Sequence, residues 1–228
     1  MSVVRHGVIS HSECSGRLSH EVALWMLQCS LNHLGGGSLR KDWLGIFRGC
    51  DIVKGSQKIM LNGGELSPVH VNANLLDRFP VKIRAKIEAM RPAAHCDVDD
   101  RAAHFDSQRT FIKQQAAHLG MQGRCSCLKH PGKHCPLFFD NSDIPLHCRP
   151  MRMLFTGMPC TPWTNIGTRL QEAHSAIEIV NICLAAHGES RLEIIGIEEA
   201  PGFPVEKFKQ SLPEGYFIVG FVTGSQDF

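Results

Sequence analysis

The sequence has no apolar run approaching the roughly 20 residues that a membrane-crossing helix needs, so no such helix is expected. Its first residues, MSVVRHGVISHSEC, hold too short and too polar an apolar stretch for a secretory signal peptide. Without that signal, the 10 cysteines read as thiols or metal ligands rather than as a disulfide framework, and a reducing intracellular compartment is the expectation. Strong charge of one sign is also missing. Against 24 Lys and Arg stand 22 Asp and Glu, a formal net charge of +2, so the total does not point to a polyanionic partner. A nucleic-acid face has to come from local clusters, and the nearest candidates are Arg40-Lys41 and the alternating Lys82, Arg84 and Lys86. No internal repeat is visible. What remains is a 228-residue chain, 43% hydrophobic and 20% charged, which has enough apolar material for one substantial core and excludes wholesale disorder.

The second half of the chain has the more regular pattern. Met151 to Thr156 is a short apolar-rich strand that runs into a tight loop at Gly157-Met-Pro-Cys160. From Arg169 to His187, the residues Leu170, Ala173, Ile177, Val180 and Leu184 recur every three or four positions, the stripe of a helix lying on a sheet, with Gly188 as its stop. Leu192 to Ile197 is the next strand, Pro204 to Leu212 a short helix, and Tyr216 to Val222 a third strand. Strand, helix, strand, helix, strand predicts an α/β fold with a doubly wound, mostly parallel sheet, in which ligands bind at the carboxyl ends of strands. Cys160 and Glu198 both fall just past such ends. In the first half, Val3 to Ile9 reads as a strand and Ser19 to Leu31 as a helix. The stretch from about Gly35 to Ala94, with its glycine clusters, reads as an irregular insertion.

Two segments carry chemistry. Phe155-Thr-Gly-Met-Pro-Cys-Thr-Pro-Trp-Thr-Asn-Ile-Gly167 follows the first of these strands, and Ile197-Glu-Glu-Ala-Pro-Gly-Phe203 ends the second. Together, in that order and at that separation, they resemble the catalytic loop and the Glu-Asn-Val motif of the DNA cytosine-5 methyltransferases. Pro159, Cys160, Pro162 and Gly167 match the first motif. Thr161 stands where glutamine is usual, Trp163 where another aromatic is usual, and Thr164 where serine is usual. Glu198 matches the catalytic glutamate, with Glu199 in place of asparagine and Ala200 in place of valine. The resemblance implies Cys160 as the nucleophile that adds to C6 of a flipped-out cytosine and Glu198 as the acid or hydrogen-bond partner of the ring. Pro159 would shape the loop, and Trp163, Thr164 and Glu199 would line it against cofactor or DNA.

The resemblance also implies S-adenosylmethionine as methyl donor and a sheet of the Rossmann-like methyltransferase type. Glu13-Cys-Ser-Gly-Arg-Leu-Ser-His-Glu-Val-Ala-Leu24 is similar to the family's glycine-rich cofactor loop at Ser15, Gly16, Glu21 and Ala23-Leu24, but Leu18 and Ser19 replace its two later glycines. Those glycines permit positive φ and close approach, so an ordinary helix N-terminus is the competing reading. Asp97, with Asp99 as competitor, is the expected grip on the ribose hydroxyls, and Asp143 the expected contact to the adenine; both are equally at home in turns.

On this reading, residues 1–228 form one partial catalytic domain. The chain ends where the family's arginine-bearing element, target-recognition region and C-terminal helix would follow, so that region is absent from it, and a partner chain is a candidate to supply it. DNA is the expected partner, and the nucleus the expected compartment in a eukaryote. A methyltransferase fold kept for binding or assembly is the first alternative. The second is a zinc-stabilised interaction module built on Cys125, Cys127, His130, His134, Cys135, His147 and Cys148, whose spacing is not a common zinc-finger pattern; no metal ligand is assigned among them.

Overall fold

The computed structural model describes residues 6–14, 16, 18–34, 39, 42–163, 170–200 and 202–220. Five strands form one sheet: β1 (Val8–Glu13), β2 (Leu44–Cys50), β3 (His70–Asn72), β6 (Met151–Thr156) and β7 (Ile194–Ile197), in the order β3-β2-β1-β6-β7. Every neighbouring pair is parallel, which confirms the α/β class and the parallel sheet expected from the second half of the sequence. A separate antiparallel ribbon pairs β4 (Arg124–Cys127) with β5 (His130–Pro136). The helices are α1 (Ser19–Leu34), α2 (Lys54–Asn62), α3 (Val81–Ala89), α4 (Val98–Gln114), α5 (Ile177–Ser190) and α6 (Val205–Lys209). Among the described residues no helix is long and apolar enough to cross a membrane.

The stretch expected to be irregular, 35–94, instead supplies β2, β3 and two helices of the fold. Its strands are hard to read because their residues answer to neighbours rather than to a period. Gly49 has no side chain because a Cβ there would lie 2.5 Å from the Met60 sulfur of α2. Arg48 sits mid-strand and fully buried, held by Glu13 of β1. β1 itself runs from Val8 to Glu13 rather than from Val3 to Ile9, and four of its buried positions are polar. As the central strand it is covered on both faces, so each polar group needs a partner. Ser12 Oγ donates to Glu21 Oε1 of α1 at 2.8 Å. His11 bridges two elements: its Nδ1–H donates to the Met153 carbonyl at 3.1 Å, and its Nε2 accepts from the Phe139 amide at 2.9 Å. Burial, reinforced by Arg48, lowers the His11 pKa to about 3, so the ring is neutral, as this bonding requires.

The main core lies between the sheet and the α3, α4 and α5 layer, around Leu76, Phe79, Ile87, Ile112, Leu119, Ile182 and Ala186. The sequence predicts one apolar stripe on α5, but 11 of its 14 residues are buried. The physical reason is α4, which covers the outer side. There Asn181 Nδ2 donates to the Phe105 carbonyl, while Gln108 of α4 and Arg91 converge on the buried carboxylate of Glu178. Of the third strand expected at Tyr216–Val222, residues 216–220 have no regular structure, and the rest of that segment lies outside the described residues.

Candidate functional site

Because all five strands are parallel, the loops after their carboxyl ends gather on one rim. After β1 the chain winds to one side through β2 and β3, and after β6 to the other through β7. The crevice of a doubly wound sheet opens at that reversal, between the ends of β1 and β6. The loops that leave β1 and β6 there are tied where the Gly157 amide donates to the Glu13 carbonyl at 3.2 Å.

The β1 loop is bent hard. Cys14, Gly16 and Leu18 all have left-handed backbone, at φ +51°, +56° and +64°. A non-glycine residue held there costs about 1–3 kcal/mol and persists only where surroundings dictate it. Leu18 is fixed by packing against Met60 and Val71. The tight turn therefore survives at a position where the glycine that would permit it is missing. Ser15, the other cofactor-loop candidate, lies outside the described residues, whereas the Gly16 amide donates to Asp51 Oδ2 at 2.8 Å.

Asp51 is the residue that sequence reasoning missed. It follows β2 directly, is largely buried, and accepts from the Gly16 amide and, through Oδ1, from the Val53 amide. The signal was the run Leu44 to Cys50 ending in an acid, broken up for a reader by Gly45, Arg48 and Gly49. Asp97, expected at this strand end, instead caps α4, accepting from the Asp100 amide at 2.8 Å, and Asp99 lies in that helix's exposed first turn. Asp143 is also displaced. It is exposed in the loop preceding β6, which Arg149 pins by donating to the Ile144 and Ser142 carbonyls. That loop adjoins the amino end of β6, a strand length of about 20 Å from the rim.

The β6 and β7 loops meet at the other side of the crevice. Thr156 and Ile197 are register partners, and the Glu198 amide donates to the Thr156 carbonyl at 3.1 Å. Cys160 lies four residues past Thr156, its thiol exposed, in a turn closed by the Trp163 amide donating to the Cys160 carbonyl at 3.0 Å. Pro159 is half-buried beside Met158, which anchors the loop in the core. Trp163 packs edge-on against Phe203 of the β7 loop at 5.1 Å, so the two loops hold each other. Thr164 lies outside the described residues. Glu198 is exposed, whereas Glu199 is turned inward. Burial, reinforced by Glu198 and opposed by the Ala200 amide, raises the Glu199 pKa to about 8, leaving it a neutral acid at pH 7.

Beneath the rim lies a buried charged floor. Glu13 accepts from Arg78 at 2.5 Å and from Arg48 at 3.2 Å, all three side chains fully buried. Burial favours a protonated Glu13, but the two guanidiniums outweigh it and hold its pKa at about 2. Arg48 is lowered by burial to about 10 and Arg78 is raised by Glu13 despite burial, so both stay charged at neutral pH. His187 completes the floor, 2.8 Å from Thr156 Oγ1, neutral because burial lowers its pKa to about 4. Two cations against one anion leave positive charge under the ends of β1 and β2. The basic cluster on α3 is different: Arg84 is paired with Asp77 and Glu88, and Lys86 lies over the Phe111 ring.

No protein-family model, curated protein or solved structure matches the chain.

Proposed function

We propose that the chain is a DNA cytosine-5 methyltransferase-like domain, using Cys160 as nucleophile and Glu198 as the ring's acid or hydrogen-bond partner. The observation that carries this reading is their adjacency: the Pro159-Cys160 loop and the Glu198 loop leave neighbouring, register-paired strands beside the crevice, with both side chains exposed. An exposed thiol and carboxyl on one rim suit a substrate that arrives from solution, as a flipped-out base does.

The residues at the rim also fit S-adenosylmethionine. The left-handed turn at Cys14, Gly16 and Leu18 holds the Gly16 amide on Asp51, which stands at the end of the strand next to β1, where one carboxylate can accept from two ribose hydroxyls. Asp51 thus takes the role assigned by resemblance to Asp97. Pro159, on the facing loop, would border the same pocket. The bound cofactor would supply an electrophilic methyl group.

The chain's own part follows from cytosine chemistry. The Cys160 thiolate adds to C6, and electron density moves to C5, while Glu198 meets N3 as negative charge builds on the ring. After C5 takes the methyl group, the C5 proton leaves to a base and the C6–S bond breaks, restoring the thiolate. Glu199, neutral beside Glu198, is placed to keep a second negative charge off the rim.

DNA, a partner chain and nuclear residence belong to this proposal. α1 exposes Val22, Trp25, Met26 and Leu27, an apolar face that a partner chain bearing a target-recognition region would cover. The replaced glycines favour a second reading, in which the fold is kept for binding or assembly.

The test is duplex DNA carrying 5-fluorocytosine, mixed with the full chain and S-adenosylmethionine. Fluorine cannot leave as a proton does, so a working Cys160 stays bonded to C6 and the complex survives denaturing electrophoresis. A complex lost in Cys160→Ala establishes the reading. If folded chain that binds S-adenosylmethionine yields no complex, autonomous catalysis is rejected, and a folded chain that binds neither cofactor nor DNA rejects the methyltransferase reading.

A further inference from the structure

At the β3 edge of the sheet, far across the strand order from β7, four side chains turn toward one point. His70 comes from β3, Cys127 and His130 flank the tip of the β4–β5 ribbon, and Cys135 lies further along β5. One nitrogen or sulfur from each lies within 4.8 Å of the other three. The His70 and His130 Nδ1 atoms are 3.3 Å apart. Cys127 Sγ is 3.4 Å from His130 Nδ1 and 3.9 Å from His70 Nδ1, and Cys135 Sγ is 3.5 Å from His130 Nδ1.

Hydrogen bonds alone do not account for this cluster. His130 Nδ1 has either one proton or one lone pair, yet it faces three partners within 3.5 Å. A central cation satisfies all four atoms at once. With Zn–N near 2.05 Å and Zn–S near 2.3 Å, a tetrahedron has edges of about 3.4 Å between nitrogens and about 3.6 Å between nitrogen and sulfur. The observed separations lie close to those edges.

We propose that His70, Cys127, His130 and Cys135 bind one structural zinc ion that fastens the β4–β5 ribbon to the sheet. Two thiolates neutralise the charge of the ion, which suits a site whose two cysteines are buried and whose two histidines are half-buried. Soft sulfur with imidazole selects zinc over magnesium or calcium, and four protein ligands leave no open position for catalysis. The ribbon needs such a fastening. Most of β5 is exposed, and a lone two-stranded ribbon is marginal in water. Two hydrogen bonds also tie it to the sheet, Leu128 N donating to the Val71 carbonyl and Asn72 Nδ2 to the Ser126 carbonyl, and Cys125 packs on Leu154 of β6. The remaining cysteines and histidines of this stretch are excluded by position. His134, His147 and Cys148 are exposed, and Cys125 packs with Leu137, Phe138 and Leu154.

The test is metal content and cobalt spectroscopy on the full chain, purified under reducing conditions from cells supplied with zinc or with cobalt. The expected results are one zinc per chain and, with cobalt, the intense red-visible absorption of a tetrahedral ion with charge-transfer bands from two thiolates. Cys127→Ser and Cys135→Ser should lose both signals, while Cys29→Ser and Cys148→Ser keep them. Should the ligand variants fail to fold, the cobalt spectrum of the unaltered chain decides by itself. Chain without stoichiometric zinc and without a tetrahedral spectrum overturns the proposal, as does metal retained in folded Cys127→Ser, or a Cys127–Cys135 disulfide in place of the ion. The readout needs neither DNA nor S-adenosylmethionine, so it stands or falls apart from methyl transfer.

Discussion

Two regions of this protein use cysteine in opposite ways. On the rim, Cys160 is exposed in a loop with no histidine or cysteine bonded to its sulfur among the described residues. At the sheet edge, Cys127 and Cys135 are buried, on strands, with imidazole nitrogens 3.4–3.5 Å from sulfur. On the proposed readings, the rim thiol is the attacking group and the edge thiols are metal ligands. The difference teaches that position, more than residue type, assigns the chemistry: loops past parallel strand ends offer side chains to ligands, while paired strands hold them for structure.

The comparison breaks most easily at Cys160. Cys160→Ala should reduce trapping on 5-fluorocytosine DNA by at least about 1,000-fold while leaving thermal stability unchanged, because an exposed loop thiol supports no packing. Gel shift and a melting curve check the two halves, and a large drop in melting temperature would show that the loop is structural after all.

The floor under the rim should behave in the reverse way. Glu13→Ala leaves Arg48 and Arg78 buried together without their counter-charge, and should cost about 3–5 kcal/mol in urea unfolding. A loss below about 1 kcal/mol would mean that the floor is hydrated rather than a dry ion cluster.

Acid sharpens the same contrast. The pKa values of His11 and His187 are lowered from 6.5 to about 3 and about 4 in the folded chain. Below pH 6.5 the unfolded chain takes up protons that the folded chain refuses, so stability is lost as pH falls. Each histidine contributes up to about 1.4 kcal/mol per pH unit, the His187 share levelling off near pH 4. Unfolding curves at pH 7, 6 and 5 measure the slope, and His187→Gln should flatten it.

Glu199 gives the smallest expected effect, with the opposite sign. Its pKa is raised from 4.5 to about 8, so the folded chain holds a proton that the unfolded chain releases, and stability falls as pH rises through that interval. Glu199→Gln should gain on the order of 1–2 kcal/mol at pH 9, allowing for screening at a partly exposed group, and nothing at pH 4. Equal unfolding curves at both pH values would show the carboxyl to be solvated.

Legibility in the sequence was uneven along the chain. β6, its Pro159-Cys160 loop, α5, β7 and Glu198 could be read because apolar runs there end at clear glycine and proline signals. β2 and β3 could not, because Arg48 is buried mid-strand and Gly45 and Gly49 are dictated by Ile9 and Met60 on neighbouring elements. Missing those strands hid Asp51 at the end of β2; Asp97, expected at a strand end, caps α4, and Asp143 lies in the loop at the amino end of β6. The metal cluster was legible in part: Cys127, His130 and Cys135 stood out by density, but His70 comes from 57 residues before Cys127 and only strand pairing brings it in.

By itself the sequence determined the α/β class, the parallel strands β6 and β7, and the place of Cys160 and Glu198 just past their ends, since these rest on local apolar period and turn chemistry. Tertiary structure alone decided the strand order, the burial of Glu13 between Arg48 and Arg78, the place of Asp51 and the meeting of four zinc-type ligands. Those depend on contacts between residues tens of positions apart, and the free energy that fixes them comes from burial and charge compensation, which no single segment expresses.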